Sequence, residues 1–400
     1  DVDYAAPAKQ WMDDVLKALP RAAAAASKPA AVVEKQIQYS KENPLTVTVL
    51  DNICCSSAER PDPIHHLELS LDASDFKLSP GDAVGVLARN SATLVNAILQ
   101  AANLPAEQTV NINHRSIALA QALAEECDLN IPSKNFLAMW AKLSASAALA
   151  AMVSAESKEQ RSFLRNHQIM DLISTYPAQA RAQDFVDSLR PLQPRLYDVA
   201  NSLSLVDDEL HLTVKQYSYP FRDRNETGIA SDYLINLQKS SSLRIYPHKN
   251  ARFHLPETTD TPLILIADGT GIAPYRAFMQ EIEAGQRKHP CWLIFSEQDF
   301  EQDFLYQVEW QKAVDKGLIE RVDNVFYQDQ PHSRLANPLI EQSALLLQWL
   351  NNGAHLYLCG DKTLLTECES TLQNWLEQQP GQQTGWQALN AGKRIHRNVY

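Results

Sequence analysis

No cysteine framework is present in the 400 residues: the six thiols fall at 54, 55, 127, 291, 359 and 368, with no C-x-x-C pair and no metal-ligand spacing. Adjacent Cys54 and Cys55 are poor partners for one another, so a disulfide-stapled secreted fold gives way to reduced thiols and a cytoplasmic setting. A basic excess is also missing. With 36 Lys plus Arg against 48 Asp plus Glu, the net charge of -12 and a pI near 5.4 exclude the electrostatic footprint of a nucleic-acid binder. No apolar run reaches the length of a membrane span, and the opening DVDYAAPAKQW has neither the basic start nor the apolar stretch of a signal peptide. It lacks Met as well, so Asp1 is expected to lie inside a longer translated chain. What remains is ordinary globular material, 45% hydrophobic and 21% charged, at a length that favours two or more cores.

The chain changes its hydrophobic period three times. WMDDVLKAL gathers Trp11, Met12, Val15, Leu16 and Leu19 towards one helix face, and RAAAAASKPAAVVEKQ then reads either as a linker or as an extension of that helix. From about Pro44 the period is two, in LTVTVL, IHHLELSL and DAVGVLAR, which predicts antiparallel strands. Between about residues 91 and 190 the pattern is helical and alanine-rich, and strands resume at RLYDVANSL, ELHLTVKQYSY and SLRIYPHK. A helical insertion within a β domain explains this order better than three separate domains.

After Pro256 strands and helices alternate strictly, from LILIAD and IAPYRAFMQEIEAG to HLYLCGD and LLTECESTLQNWLEQQ. Such alternation specifies a doubly wound parallel sheet, which binds ligands at the carboxyl ends of its strands. The turn Gly269-Thr270-Gly271 follows one strand directly and opens a helix. Glycine there admits a phosphate close to unpaired backbone N–H groups, or serves only to pack strand against helix. A second motif, CGD at 359 to 361, falls at the same edge and tilts the balance towards a nucleotide.

The stretches YSKENPL, SPGDAVGVLARN, PRLYDVANS, TGIASDYL, DGTGIAPYRAFMQE, DFLYQVEWQ, NNGAHLYLCGD and RIHRNVY, in this order over about Tyr39 to Tyr400, resemble the diflavin reductases, and among them the flavoprotein subunits of assimilatory sulfite reductase. The resemblance implies a ferredoxin-NADP reductase-like arrangement of α+β and then α/β class. Residues 1-36 would be the end of a flavodoxin-like FMN domain plus a linker. Residues 37-256 would form an FAD-binding antiparallel β-barrel with a helical connecting subdomain inserted at about 91-190, and 257-400 an NAD(P)-binding domain. It further implies FAD and NADPH as cofactors, FMN in the domain outside this chain, and a haem or iron–sulfur protein as electron acceptor; no siroheme or cluster ligands are visible in the chain itself.

By the same resemblance Arg195 would pair with the FAD diphosphate, while Leu196, Tyr197 and Asp198 lie along the flavin ring, with Tyr197 packed on it. Gly228, Ile229, Ala230 and Ser231 would present helix-start amides and a hydroxyl to the same diphosphate, against the plainer reading of an ordinary helix cap. Thr213, Val214 and Tyr219 correspond to further flavin positions, Gly269, Thr270 and Gly271 to the nicotinamide-nucleotide turn, and terminal Tyr400 to an aromatic that covers the flavin face. Cys359 occupies the place of a thiol near the hydride path, although a small buried residue at a strand end is its plain alternative.

Three departures from the pattern stand out. Asp198 replaces a usual serine, and a half-buried carboxyl there is expected either to be protonated or to oppose the charge of reduced flavin. Asn398 replaces an acidic residue. Tyr327 and Gln328 stand where a serine and arginine would hold a 2'-phosphate, leaving Ser333 and Arg334, with His332, as substitutes from shifted positions, while Asp268, Glu297 and Asp299 are expected to repel phosphate. The catalytic candidates are thus Asp198, Cys359 and Asn398, and no metal is expected. A reductase module remains in competition with a diverged flavin-binding or docking module, and with a reductase of another haem protein or ferric acceptor.

Overall fold

The computed structural model describes residues 10, 38–57, 60–71, 76–379 and 385–400. The expected WMDDVLKAL helix and the alanine-rich segment after it lie outside the described residues. From Tyr39 to Tyr400 the chain forms one compact unit.

Six antiparallel strands run in the spatial order Arg195–Asp198, Ala83–Leu87, Ser242–His248, Leu45–Cys54, Ile64–Ser70 and Glu209–Lys215. The two outer strands meet through a bridge between Val199 and Leu212, with the Ala200 N–H donating to the His211 carbonyl at 2.9 Å, and the sheet closes into a barrel. The period-two pattern decides which face turns inward: Val47, Val49, Leu67, Leu69, Val84, Val86, Leu212, Val214, Leu243 and Ile245 fill the barrel core.

The chain leaves the barrel at Leu87 and returns at Arg195, and helices dominate the segment between. Ser91, Ser133 and Ser146 start three of them, their hydroxyls accepting from the N–H groups of Leu94, Phe136 and Leu149. The segment has its own core around Phe136, Trp140 and Phe185, with all members between Val95 and Val186. A two-stranded ribbon, Thr109–Ile112 with Arg115–Ala118, also lies here, where the sequence pattern read only as helical. Asn113 and His114 turn it with φ of 49° and 61°, the left-handed pair that a tight hairpin needs.

The remaining residues build a five-stranded, all-parallel sheet in the order Arg321–Phe326, Cys291–Glu297, Leu263–Asp268, His355–Gly360, Ile395–Val399. Leu263, Leu265 and Ala267 feed the core on one face, and Ile264 and Ile266 the core on the other, which is why LILIAD is apolar without alternation. RIHRNVY supplies the edge strand beside His355–Gly360, a placement that the terminal motif alone did not reveal.

Barrel and sheet share packing: Ile64 and Phe253 belong to the core under the parallel sheet. Arg276 braces the junction. Its guanidinium donates to the Ala200 carbonyl at 2.8 Å, pairs with Glu309 at 2.7 Å, contacts His211 Nδ1 at 3.1 Å and lies 5.1 Å from the centre of the Tyr306 ring. The Tyr306 hydroxyl in turn meets Thr213 at 2.6 Å and His66 at 2.8 Å.

Candidate active-site cleft

A cleft of about 1300 Å³ opens where the barrel, the helical insertion and the carboxyl edge of the parallel sheet meet. Its walls bring together most of the residues singled out from sequence: Arg195, Leu196, Tyr197, Asp198, Thr213, Tyr219, Gly228, Ile229, Ala230, Ser231, Gly269, Thr270, Asn398 and Tyr400.

On the barrel side, Arg195 and Leu196 are exposed, and Tyr197 and Asp198 are half-buried at the end of a strand. Arg195 holds no ion pair among the described residues, so its planar cation is open to an anion in the cleft. Helix Ile229–Ile235 starts on the wall of the same cleft, and the N–H groups of its first turn have no partner inside the helix. Two details correct the expectation. The Ser231 hydroxyl donates to the Gly228 carbonyl at 3.1 Å and accepts from the Tyr217 N–H at 3.0 Å, and the Gly228 N–H donates to the Tyr217 carbonyl at 2.8 Å. Neither group is free for a diphosphate. The Val214 side chain is fully buried in the barrel core, so that position offers only backbone, and Thr213 spends its hydroxyl on Tyr306. Tyr217 was missed: it is 63% exposed, stacks on Tyr219 at 5.7 Å and presents an aromatic wall. Its signal was the Y-S-Y alternation, which sets both rings on one face of the segment.

On the sheet side the two glycines of the G-T-G turn differ. Gly269 has φ of +55° and opens the short 3-10 turn Gly269–Ile272 before helix Ala273–Ala284. Gly271 is a packing glycine, since a Cβ there would lie 2.0 Å from the Cys359 carbonyl oxygen. The phenol of Tyr400 meets the Thr270 hydroxyl at 2.9 Å, and its own N–H donates to the Gly360 carbonyl at 3.2 Å, which stretches the aromatic along the cleft mouth.

At the junction of the two sides, Asn398 Nδ2 donates to both oxygens of Asp198 at 2.8 Å. The Cys359 thiol sits 3.7 Å from Asp198 Oδ2 and 3.6 Å from Asn398 Nδ2. Burial pushes the Asp198 carboxyl up to about 6, opposed by the Asn398 and Cys359 hydrogen bonds. Burial likewise raises the Cys359 thiol well above its ordinary value, with Asp198 adding to the effect. The three residues expected to share one site therefore touch.

The acidic residues near the turn behave differently from one another. Glu297 is buried but compensated, with Arg60 at 3.2 Å and Lys215 at 3.5 Å, and Asp299 caps the short helix Phe300–Asp303. The repulsion of phosphate expected from these two is thereby largely offset. Among the described residues Asp268 forms no such ion pair. It accepts from the Ser296 hydroxyl at 2.8 Å and is pushed up to about 6, chiefly by burial and then by Glu297 and Asp361. Ser333 and Arg334 do not regroup into an anion site. Ser333 donates to Gln330 at 3.1 Å, and Arg334 pairs with Glu367 at 3.2 Å.

His66, Glu68 and His211 also lie within 4.8 Å of one another, a spacing that would suit a cation. The His211 tautomer argues against one: Nδ1 accepts from Arg276, which leaves the proton on Nε2, donated to Glu209 at 2.8 Å. The trio is a strut of the domain junction.

The comparisons with known proteins agree with this geometry. The family model of the FAD binding domain matches residues 37–233, and that of the oxidoreductase NAD-binding domain matches residues 265–370. The sulfite reductase [NADPH] flavoprotein alpha-component of Shewanella oneidensis is 41% identical over 90% of this chain and 62% of its own length. Proteins of the same name from Aliivibrio fischeri and Mannheimia succiniciproducens are 35% and 34% identical over 100% of this chain, and 68% and 69% of theirs. The chain spans under two thirds of the Shewanella relative, and it belongs, as a part bearing the FAD-binding and NAD-binding domains, to the sulfite reductase flavoprotein family.

Proposed function

We propose that this chain is the reductase module of a diflavin protein, taking a hydride from NADPH onto FAD in the cleft. Electrons would pass on through FMN, held in a domain outside this chain, to a sulfite reductase hemoprotein in the cytoplasm. The observation that carries the reading is the meeting of Arg195, Tyr197 and Asp198 from the barrel with Asn398 and Tyr400 from the parallel sheet in one cleft, with the buried Cys359 thiol against Asp198 and Asn398. No helix among the described residues is long and apolar enough to cross a membrane.

FAD fits the residues present. The guanidinium of Arg195 and the first-turn amides of Ile229 to Ser231 line the same cleft and would hold the diphosphate, and Tyr197 and Tyr400 would supply aromatic faces for a planar ring. When bound, FAD supplies the ability to accept a hydride and release single electrons. The chain's own residues do the rest. Tyr400, hydrogen-bonded to Thr270 at the cleft, would shield the ring face and would have to move before a nicotinamide could stack there. Gly269 and Thr270 receive the nicotinamide nucleotide's phosphates, and Asp198, Asn398 and Cys359 set the charge beside the reacting atoms.

Anaerobic mixing of the FAD-loaded protein with NADPH should bleach the flavin's visible band. Flavin that binds yet stays oxidised under excess NADPH and NADH would overturn the reading. A second reading, a diverged flavin-binding module with weak nicotinamide use, draws support from the pairing of Arg334 with Glu367, which leaves a 2'-phosphate without that cation. Under it, Gln328→Arg would leave the rate with NADPH unchanged, whereas in a working reductase the substitution lowers KM for NADPH.

A further inference from the structure

Asp198 is a half-buried acid whose hydrogen-bond partners are an amide and a thiol. Among the described residues no lysine, arginine or histidine pairs with it. The ionisable groups that face it from the packed elements are Cys359 on the neighbouring strand and Tyr275 on helix Ala273–Ala284, both buried and neutral, and the phenol of Tyr400 at the sheet edge, neutral at the same pH. Nothing in this surrounding makes the acid a structural ion pair. The amide that holds it comes from the other domain, 200 residues away, and reaches both oxygens with one nitrogen.

We propose that Asp198 and Asn398 form a single acid–amide unit across the domain junction, with Asp198 holding a proton at the hydride-transfer centre and Asn398 acting as its positioning residue. The proposal rests on the function argued above. Each residue accounts for the other. A carboxylate at 398 would lie about 3 Å from that of Asp198, where two negative charges cannot both persist; an amide there removes the conflict and donates instead. Asp198 without Asn398 would lose its only full-strength donor, since the thiol is a weak one.

The chemistry sets the consequence. The step moves one hydride, with its two electrons, from the nicotinamide to the flavin; the nicotinamide leaves oxidised and the flavin ring gains one negative charge. A protonated Asp198 adds no second negative charge beside it, and an ionised Asp198 does. Flavin reduction and flavin midpoint potential should therefore both fall as Asp198 ionises.

The test compares the FAD-loaded wild type with Asp198→Asn, Asn398→Asp and the exchanged double variant Asp198→Asn/Asn398→Asp, from about pH 5 to about pH 8. The readouts are the rate of bleaching by NADPH and the midpoint potential, the latter measured with a chemical reductant. The expected wild-type result is an inflection in both. Asp198→Asn loses it, Asn398→Asp is slowed at least about tenfold at the alkaline end, and the double variant regains the inflection and recovers at least about tenfold over Asn398→Asp. An inflection that persists in Asp198→Asn, or a double variant as slow as Asn398→Asp, overturns the proposal. Failure of the functional reading looks different, because a wild type that NADPH cannot reduce still yields a potential whose pH profile decides the fate of the pair.

Discussion

Asp268 stands at the end of the central strand with a hydroxyl for company and two acids nearby, and its carboxyl is pushed up to about 6. An acid whose folded pKa lies above its unfolded value makes the folded state hold the proton more tightly. Stability is then unaffected below about pH 4 and declines as pH rises towards 6, remaining lower beyond. Asp268→Asn should accordingly raise unfolding free energy at pH 8 by up to about 3 kcal/mol and change it little at pH 4, as read from urea melts at the two pH values. The substitution also removes a negative charge beside the Gly269 turn, so KM for NADPH should fall in the same variant. Residue identity at this scale was partly legible. That Asp198, Cys359 and Asn398 belong together could be inferred from the motifs; that one nitrogen bridges both carboxyl oxygens could not, because it depends on how two domains abut. The spent hydroxyl of Ser231 was illegible for a different reason, its partner being the backbone of Tyr217, fourteen positions earlier in the same domain and met only once the chain folds back.

Elements depend on glycine for two distinct reasons. Gly271 packs against the Cys359 carbonyl with no room for a methyl group, whereas Gly317, just beyond helix Gln307–Asp315, has φ of +71° and nothing within 4 Å of a new Cβ. Gly271→Ala should cost about 3 kcal/mol or more, because backbone must move, and Gly317→Ala about 1 kcal/mol, from conformation alone. Chemical denaturation midpoints distinguish the two. The same distinction marks what the hydrophobic pattern could reveal. LILIAD was read correctly because burial on both faces leaves a continuous apolar run, and IAPYRAFMQEIEAG because burial on one face leaves a helical period. The Thr109–Ala118 ribbon escaped, its four-residue strands being too short to show alternation among alanine-rich helices, and so did the edge strand, masked by the charged and polar residues of RIHRNVY.

For the molecule as a whole, the junction between barrel and sheet concentrates on Arg276, which is 9% exposed and engages a carbonyl, a histidine, a carboxylate and an aromatic face. Arg276→Met leaves those acceptors behind and should cost about 3 kcal/mol or more. Calorimetry should then resolve the single unfolding transition into two, one for each side of the cleft. The succession of an antiparallel sheet and then a parallel one was foreseeable from the hydrophobic periods, yet the brace was not, since nothing in YRAFMQ distinguishes a buried arginine from a solvated one. The barrel's two openings to the helical insertion have a last implication. Val86 pairs directly with Arg195, so more than a hundred residues of chain depart and rejoin across one rung of a ladder, carrying a self-contained core with them. Topologically that lobe is a cassette: a hairpin turn would bridge the gap it leaves, and lineages are free to enlarge, trade or discard it without rethreading a strand.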